Sequence, residues 1–240
     1  MLIWHAVVFA AYFVKGLAGF GNSLIHTGVM AFFLDNAVIT PVDLVLTSPA
    51  NVALTMKHRA YLNKRLWIPA ALVTVAALAP GALLLKNLDS RLIKLLFGAL
   101  VILLGLDMLC PAKQSAESKS KGQRALTWGM VVLSGVISGM FGVGALLAAA
   151  MGRMTGDSRS LKANLSAAFV ADNVGRIIIY ILTGLLTLPR FLQALQLFPA
   201  MGAGLFLGIL CAGKLSEKAA RLCVVAVLVA SGVMLIINNM

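Results

Sequence analysis

The sequence predicts an all-α polytopic membrane protein made of two inverted repeats, each a re-entrant helical hairpin followed by three transmembrane helices. Three observations carry this. The 240 residues are 60% hydrophobic and only 12% charged, and their apolar runs approach the ~20 residues a helix needs to cross a bilayer. The runs are continuous rather than alternating, so helices, which satisfy their own backbone groups in lipid, are expected instead of barrel strands. The basic residues behind the net charge of +12 fall mainly in short loops between apolar segments. That placement marks cytoplasmic loops, not a nucleic-acid surface.

Taken in order, the first apolar segment, 2–34, is too long for one simple crossing and is interrupted by "VKGLAGFGNSLIHTG". Segments 42–56, 66–85 and 92–109 follow as three crossings. "PAKQSAESKSKGQR", 111–124, is the one polar stretch of loop composition and reads as a cytoplasmic linker between a first membrane repeat, 1–110, and a second, 125–240. The second repeat opens with 125–151, interrupted by "GMFGVG", and continues with 163–186, 191–212 and 222–237. Residues 1–11 lack the basic start of a cleavable signal, so the chain is read as mature from its first residue. Cys110, Cys211 and Cys223 show no metal-ligand spacing, and no metal or other cofactor is expected.

The halves resemble each other. A shift of 123 residues lays Gly16, Gly19 and Gly21 over Gly139, Gly142 and Gly144, and a shift of 127 lays Gly81, Leu88, Arg91 and Gly105 over Gly208, Leu215, Lys218 and Gly232. Tandem repeats across a linker are the common build of secondary transporters. Charge decides how the long segments run. If both crossed straight through, Lys and Arg would divide nine against nine between the two faces. If both turn back, fourteen gather on one face and only Lys86, Arg91, Lys94 and Arg190 remain on the other. The second arrangement obeys the positive-inside rule, placing the basic loops in the cytoplasm and both termini outside the cytoplasmic (inner) membrane. A leg of about 14 residues reaches only ~21 Å into the ~30 Å core, so the hairpin tips are expected past the midplane.

The polar residues then sit at the tips. Glycine permits positive φ there, and the second legs, starting near Gly21, Asn22 and Ser23 or near Gly144, aim free N–H groups and a positive dipole end inward. An anion can be held at such helix ends. Lys15 flanks the first tip and Arg176 lies mid-segment in "ANLSAAFVADNVGRIIIYILTG", with Asp172 one turn before it. A cation in hydrocarbon costs about 2.5–3.5 kcal/mol on insertion scales. Arg176 therefore either forms a self-neutralising pair with Asp172 or contacts a substrate, with Asp172 free to titrate if transport is coupled to protons. His26 is the other candidate proton carrier, although a lone histidine is as readily a satisfied bundle residue. Ser48, Asn51, Ser166 and Asn173 either line the site or hydrogen-bond neighbouring helices together.

The sequence has no GxxxxGK[ST] loop for ATP, no HExxH and no GxGD, so neither an ATP-driven pump nor an intramembrane protease is expected, and the chain is not read as an enzyme.

"KGLAGFGNSLIHTGVMAFF" and "SGVISGMFGVGALLAAA", each followed by a Thr/Ser-bearing helix, "LVLTSPAN" and "KANLSAAF", and by spans ending in "LDSRLIKLLFGALVILLG" and "LSEKAARLCVVAVLVASG", resemble the TauE/SafE family of membrane transporters. The likeness covers nearly the whole chain. It implies export of sulfur-containing anions such as sulfite or organosulfonates, with substrate held near the broken segments. The expectation is a secondary exporter of a small anion by alternating access. Its substrate-binding residues would be Lys15, Gly19, Gly21, Asn22, Ser23, Ser48, Asn51, Gly142, Gly144, Ser166, Asn173 and Arg176. A non-transporting membrane anchor or assembly subunit, and a passive anion channel, are the alternatives; beyond the anion and the bilayer, with protons as a possible coupling ion, no partner is expected.

Overall fold

The computed structural model describes residues 2–19, 21–109, 121–155, 157–212 and 217–239. Among them every regular element is a helix: α1 Leu2–Ala18, α2 Asn22–Met30, α3 Asn36–Lys57, a short 3-10 turn Arg59–Tyr61, α4 Lys64–Ala76, α5 Leu78–Asn87, α6 Ser90–Leu109, α7 Lys121–Phe141, α8 Ala145–Gly152, α9 Ser158–Leu182, α10 Leu188–Cys211 and α11 Glu217–Asn239. Among the described residues, five stretches are long and apolar enough to cross a membrane: Asn36–Lys57, Lys64–Asn87, Gly122–Phe141, Ser158–Leu182 and Leu188–Cys211. Of the expected linker, 111–120 lies outside the described residues, and 121–124 form the first turn of α7.

Both long opening segments break at their glycines. Gly19 and Gly21 take φ of 89° and 95°, and Gly142 takes 69°, the left-handed region where a side chain would be strained. Gly144 serves differently: its φ is −102°, and a Cβ there would run into the ring of Phe169. After the first break the chain doubles back. The Trp4 indole N–H donates to His26 Nε2 at 2.7 Å, although a straight helix would hold residues so far apart in sequence at about 33 Å. α8 lies back along α7 in the same way, with Val131, Leu147 and Met151 in one apolar cluster.

The legs are not equal. α1 has 17 residues and α2 only 9, while α7 has 21 and α8 only 8. The first legs are therefore ~26 and ~32 Å long and the second legs under ~14 Å. The expected leg of about 14 residues fits neither second leg; in the first hairpin 31–34, though apolar, form the turn that leads into α3. α3 itself starts six residues before the expected 42. Its first turns carry Asn36 and Thr40, which hydropathy assigns to a loop but which are both buried against protein.

The main packings join the two halves. α1 lies on α10, α5 on α7, α3 on α9 and α6 on α11. Two of these crossings are one contact made twice. A Cβ on Gly16 would meet Leu205 O at 2.6 Å and one on Gly208 would meet the Phe13 carbonyl; a Cβ on Gly139 would meet the Leu78 carbonyl and one on Gly81 the Val136 carbonyl. The shifts of 123 and 127 residues convert the first set into the second, Gly16 to Gly139 and Gly208 to Gly81.

Outside the spans, Asp35 ties the start of α3 to α6: it accepts the Ser90 hydroxyl at 2.5 Å and lies 3.4 Å from Lys94 Nζ. The Ser90 hydrogen bond, and then Lys94, hold its carboxyl below the usual carboxylate range. A lowered folded-state value gives stability that is present above the ordinary carboxylate range and is lost as pH falls through the folded-state value. Asp35→Asn is expected to lower the thermal midpoint in detergent slightly, Asp35 being largely exposed, and to flatten the midpoint's fall between about pH 5 and pH 3. An unchanged acid limb would mean that other carboxylates set it.

Candidate functional site

The glycine breaks bring three kinds of group to one place. α1 ends with Lys15 in its last turn, where the carbonyl end of the helix favours a cation. α2 begins with Asn22 and Ser23, and α3 presents Asp43, Thr47 and Asn51 at four-residue spacing along one face. From the second half come Ser138 near the end of α7, Gly142 and Gly144 at the break, and Phe169, Asp172, Asn173 and Arg176 on α9. All but Asp43 of these line a cavity of about 30 Å³, room for roughly two water molecules at ~10–15 Å³ each.

Lys15 is 1% exposed. Its ammonium donates to Asn22 Oδ1 at 2.9 Å and to Thr47 Oγ1 at 3.1 Å, leaving its third N–H for another acceptor. Behind Lys15, Asp43 collects donors: Ser23 Oγ at 2.5 Å on Oδ2, then His26 Nδ1 at 2.9 Å, Tyr12 OH at 3.4 Å and Asn22 Nδ2 at 3.5 Å on Oδ1.

Arg176 is 2% exposed and stands 3.1 Å from Asp172 Oδ2, which also accepts the Ser138 hydroxyl at 2.7 Å. Its NH2 group donates to Asn173 Oδ1 at 2.9 Å and its NH1 group to Ser138 O at 3.4 Å. The Asp172–Arg176 pair read from the sequence is thus formed, and both members still face the cavity.

Around this space buried polar atoms are left over. Asn173 Nδ2, Arg176 Nε, Asn51 Oδ1 and Asp172 Oδ1 have no hydrogen-bond partner; Arg176 Nε, though 3.1 Å from Asp172 Oδ2, makes no hydrogen bond to it. Unpaired buried polar groups are uncommon in folded chains and point to a missing ligand or water. The first backbone bonds at the second legs run from Ile25 N to Gly21 O and from Ala148 N to Gly144 O. Among the described residues, the N–H groups of 22–24 and 145–147 therefore have no backbone acceptor.

Of the residues expected to bind substrate, Lys15, Gly21, Asn22, Ser23, Asn51, Gly142, Gly144, Asn173 and Arg176 surround the central cavity. Gly19 and Ser166 line a second cavity of about 90 Å³ together with Lys57, His58 and Lys162. Gly19 and Gly21 thus face different spaces, and the first break stands between them. In the second cavity burial holds the His58 imidazole below its ordinary value, and the nearby Lys57, Lys162 and Arg159 charges lower it further. Ser48 lines neither cavity; its hydroxyl donates back to Leu44 O at 2.7 Å.

Sequence reading missed Asp43, Thr47, Tyr12, Trp4, Ser138 and Phe169. Asp43 had a usable signal: inside the expected 42–56 segment it makes a polar stripe with Thr47 and Asn51 at helical spacing.

The sulfite exporter TauE/SafE family model matches residues 4–235, which include both breaks and every residue of the central cavity. The chain belongs to the TauE/SafE family. It is accordingly a multi-pass membrane protein of a transporter and exporter family. No curated protein and no solved structure matches this TauE/SafE chain.

Proposed function

We propose that this protein exports a small oxyanion, sulfite or a compact organosulfonate, across the cytoplasmic (inner) membrane by secondary transport. The observation that carries this reading is the meeting of two buried cations, one from each half, in a single cavity. Lys15 and Arg176 reach it beside the free N–H of Asn173 and the open amides of α2 and α8. Both carboxylates nearby already hold donors, so the unspent capacity is largely of the donating kind, which suits an anion. Asn51 Oδ1 and Asp172 Oδ1 add acceptors for a hydroxyl or N–H on the same ligand.

The duplicated glycine crossings support two halves related by inversion and rocking about the central cavity, with the basic Lys57, His58 and Lys162 cavity as the cytoplasmic approach and both termini outside. The test is counterflow of labelled sulfite and of a small sulfonate panel in proteoliposomes. Lys15→Gln removes one charge-assisted contact worth about 1.5–3 kcal/mol, so half-saturation is expected to rise ten- to a hundredfold. Flux that never saturates would favour a channel, and saturable flux unchanged in Lys15→Gln would remove Lys15 from the site. No flux of any panel member from folded protein would favour the anchor role.

A further inference from the structure

His26 plays no part in lining the central cavity, yet it is 0% exposed and tied to it by an unbroken hydrogen-bonded chain. An indole N–H can only donate. Trp4 Nε1, 2.7 Å from His26 Nε2, therefore fixes that nitrogen as an acceptor, and the imidazole proton sits on Nδ1, donated to Asp43 Oδ1 at 2.9 Å. The other oxygen of Asp43 accepts Ser23 Oγ at 2.5 Å, and Ser23 itself faces the cavity. The chain runs Trp4, His26, Asp43, Ser23, cavity. It crosses from the start of α1 through α2 and α3 to the ligand space.

We infer that the His26–Asp43 pair is the proton-binding site of this transporter, and that a proton settles on His26 Nε2 when an anion takes the hydroxyl of Ser23. This rests on the anion-transport reading above and specifies its coupling.

The argument is one of charge and of donor supply. Lys15, Arg176, Asp43 and Asp172 sum to zero in the empty cavity. An arriving anion adds a negative charge that nothing in the buried site balances, and charge uncompensated in low dielectric is expensive. Ser23 has one O–H, which can serve Asp43 or the anion but not both. Once it turns to the anion, Asp43 loses its shortest hydrogen bond. A proton taken from water onto Nε2 makes His26 an imidazolium against Asp43 and restores neutrality.

The neighbouring groups narrow the choice to His26. From α1, Tyr12 and Lys15 face the pair; from α2, Asn22 and Ser23; from α3, Thr47; and from α9, the Arg176 charge acts on Asp43. Asp43 is ringed by donors and has no acceptor for a proton of its own. Asp172 already has a permanent cation at 3.1 Å. His26 Nε2 carries the one basic lone pair of the group, and only the Trp4 N–H stands in the way. Protonation must therefore release Trp4, which links proton binding to the opening end of α1.

The experiment uses the purified full-length protein in weak buffer, with an alkylsulfonate whose own charge is constant near neutral pH. Addition of the sulfonate is expected to draw about one proton per bound anion from solution. His26→Gln keeps a donor for Asp43 and an acceptor for Trp4 but does not titrate. It is expected to abolish proton uptake and, with the charge of the anion left unbalanced, to weaken anion binding by about tenfold or more, so uptake is read at saturating sulfonate. Trp4→Phe removes the competing N–H and is expected to keep the uptake but move its half-maximal pH upward. Anion binding without proton uptake in the parent protein, or uptake undiminished in His26→Gln, overturns the proposal and leaves anion transport intact. Should His26→Gln fail to fold, an unshifted profile in Trp4→Phe overturns it instead. A parent protein that binds no panel anion defeats the transport reading and this proposal with it.

Discussion

Arg176→Ala is expected to abolish anion transport and to lower stability by about 3–5 kcal/mol, and the two losses will separate when Asp172 is neutralised as well. Arg176 and Asp172 are both 2% exposed and 3.1 Å apart. Removing the guanidinium alone strands a carboxylate whose Oδ1 is already unpaired and whose Oδ2 would retain only the Ser138 hydroxyl. The single variant therefore mixes two effects, a lost ligand contact and a buried unpaired charge. In Arg176→Ala with Asp172→Asn the stranded charge is gone, and most of the stability is expected to return because a buried ion pair contributes little net over its neutral replacement. Transport is expected to stay absent, since no fork of N–H donors then faces the cavity from α9. Thermal midpoints in detergent and sulfite counterflow on the same preparations decide it. A double variant that recovers both would make the pair a structural strut and move the anion contact elsewhere.

The parts of this molecule legible in its sequence are those set by local chemistry. The breaks at Gly19–Gly21 and Gly142–Gly144 were readable because positive φ and close approach leave glycine few substitutes, and Lys15 and Arg176 stood out because charge inside an apolar run is costly. The Asp172–Arg176 pair followed from a four-residue spacing alone. What escaped depends on tertiary burial. Hydropathy starts the second segment only at 42 because Asn36 and Thr40 look solvated, whereas other helices bury them; Asp43 lies inside that segment, but that Ser23, His26 and Tyr12 converge on it is set by tertiary packing. Ser48 and Thr47 show how narrow the margin is. Adjacent helical residues point ~100° apart, so Thr47 reaches Lys15 and Asn22 while Ser48 turns back to its own helix. Hydrophobicity could not supply that rotation, because α3 carries polar groups on the side that meets other protein.

The other large effect is expected where α1 crosses α10 and α5 crosses α7. Gly208→Ala places a methyl on the Phe13 carbonyl and Gly139→Ala places one on the Leu78 carbonyl. A backbone carbonyl cannot rotate out of the way as a side chain can, so the helices must part, at a cost of about 1–3 kcal/mol for each overpacked contact. Gly202 provides the control. It lies on the same helix as Gly208, its Cβ position has nothing within 4 Å, and alanine there is expected to stabilise by roughly 0.5–1 kcal/mol through helix propensity. Thermal unfolding of the two α10 variants should therefore move in opposite directions; a shared direction would mean that α10 meets α1 through a face other than the one carrying Gly208. Gly16 and Gly208 belong to one contact, since a Cβ on Gly208 would lie 3.0 Å from the Gly16 Cα. Their double variant is expected to lose less than the sum of the singles, because helices already parted by one methyl admit the second more cheaply. Function should follow the same geometry. Gly139 lies three residues before the Gly142 turn and Gly16 next to Lys15, so parting either crossing shifts a cavity wall or a cation by the distance the helices move. Counterflow in Gly139→Ala and Gly16→Ala is expected to fall further than Asp35→Asn, which lies outside both crossings, would produce at equal loss of stability.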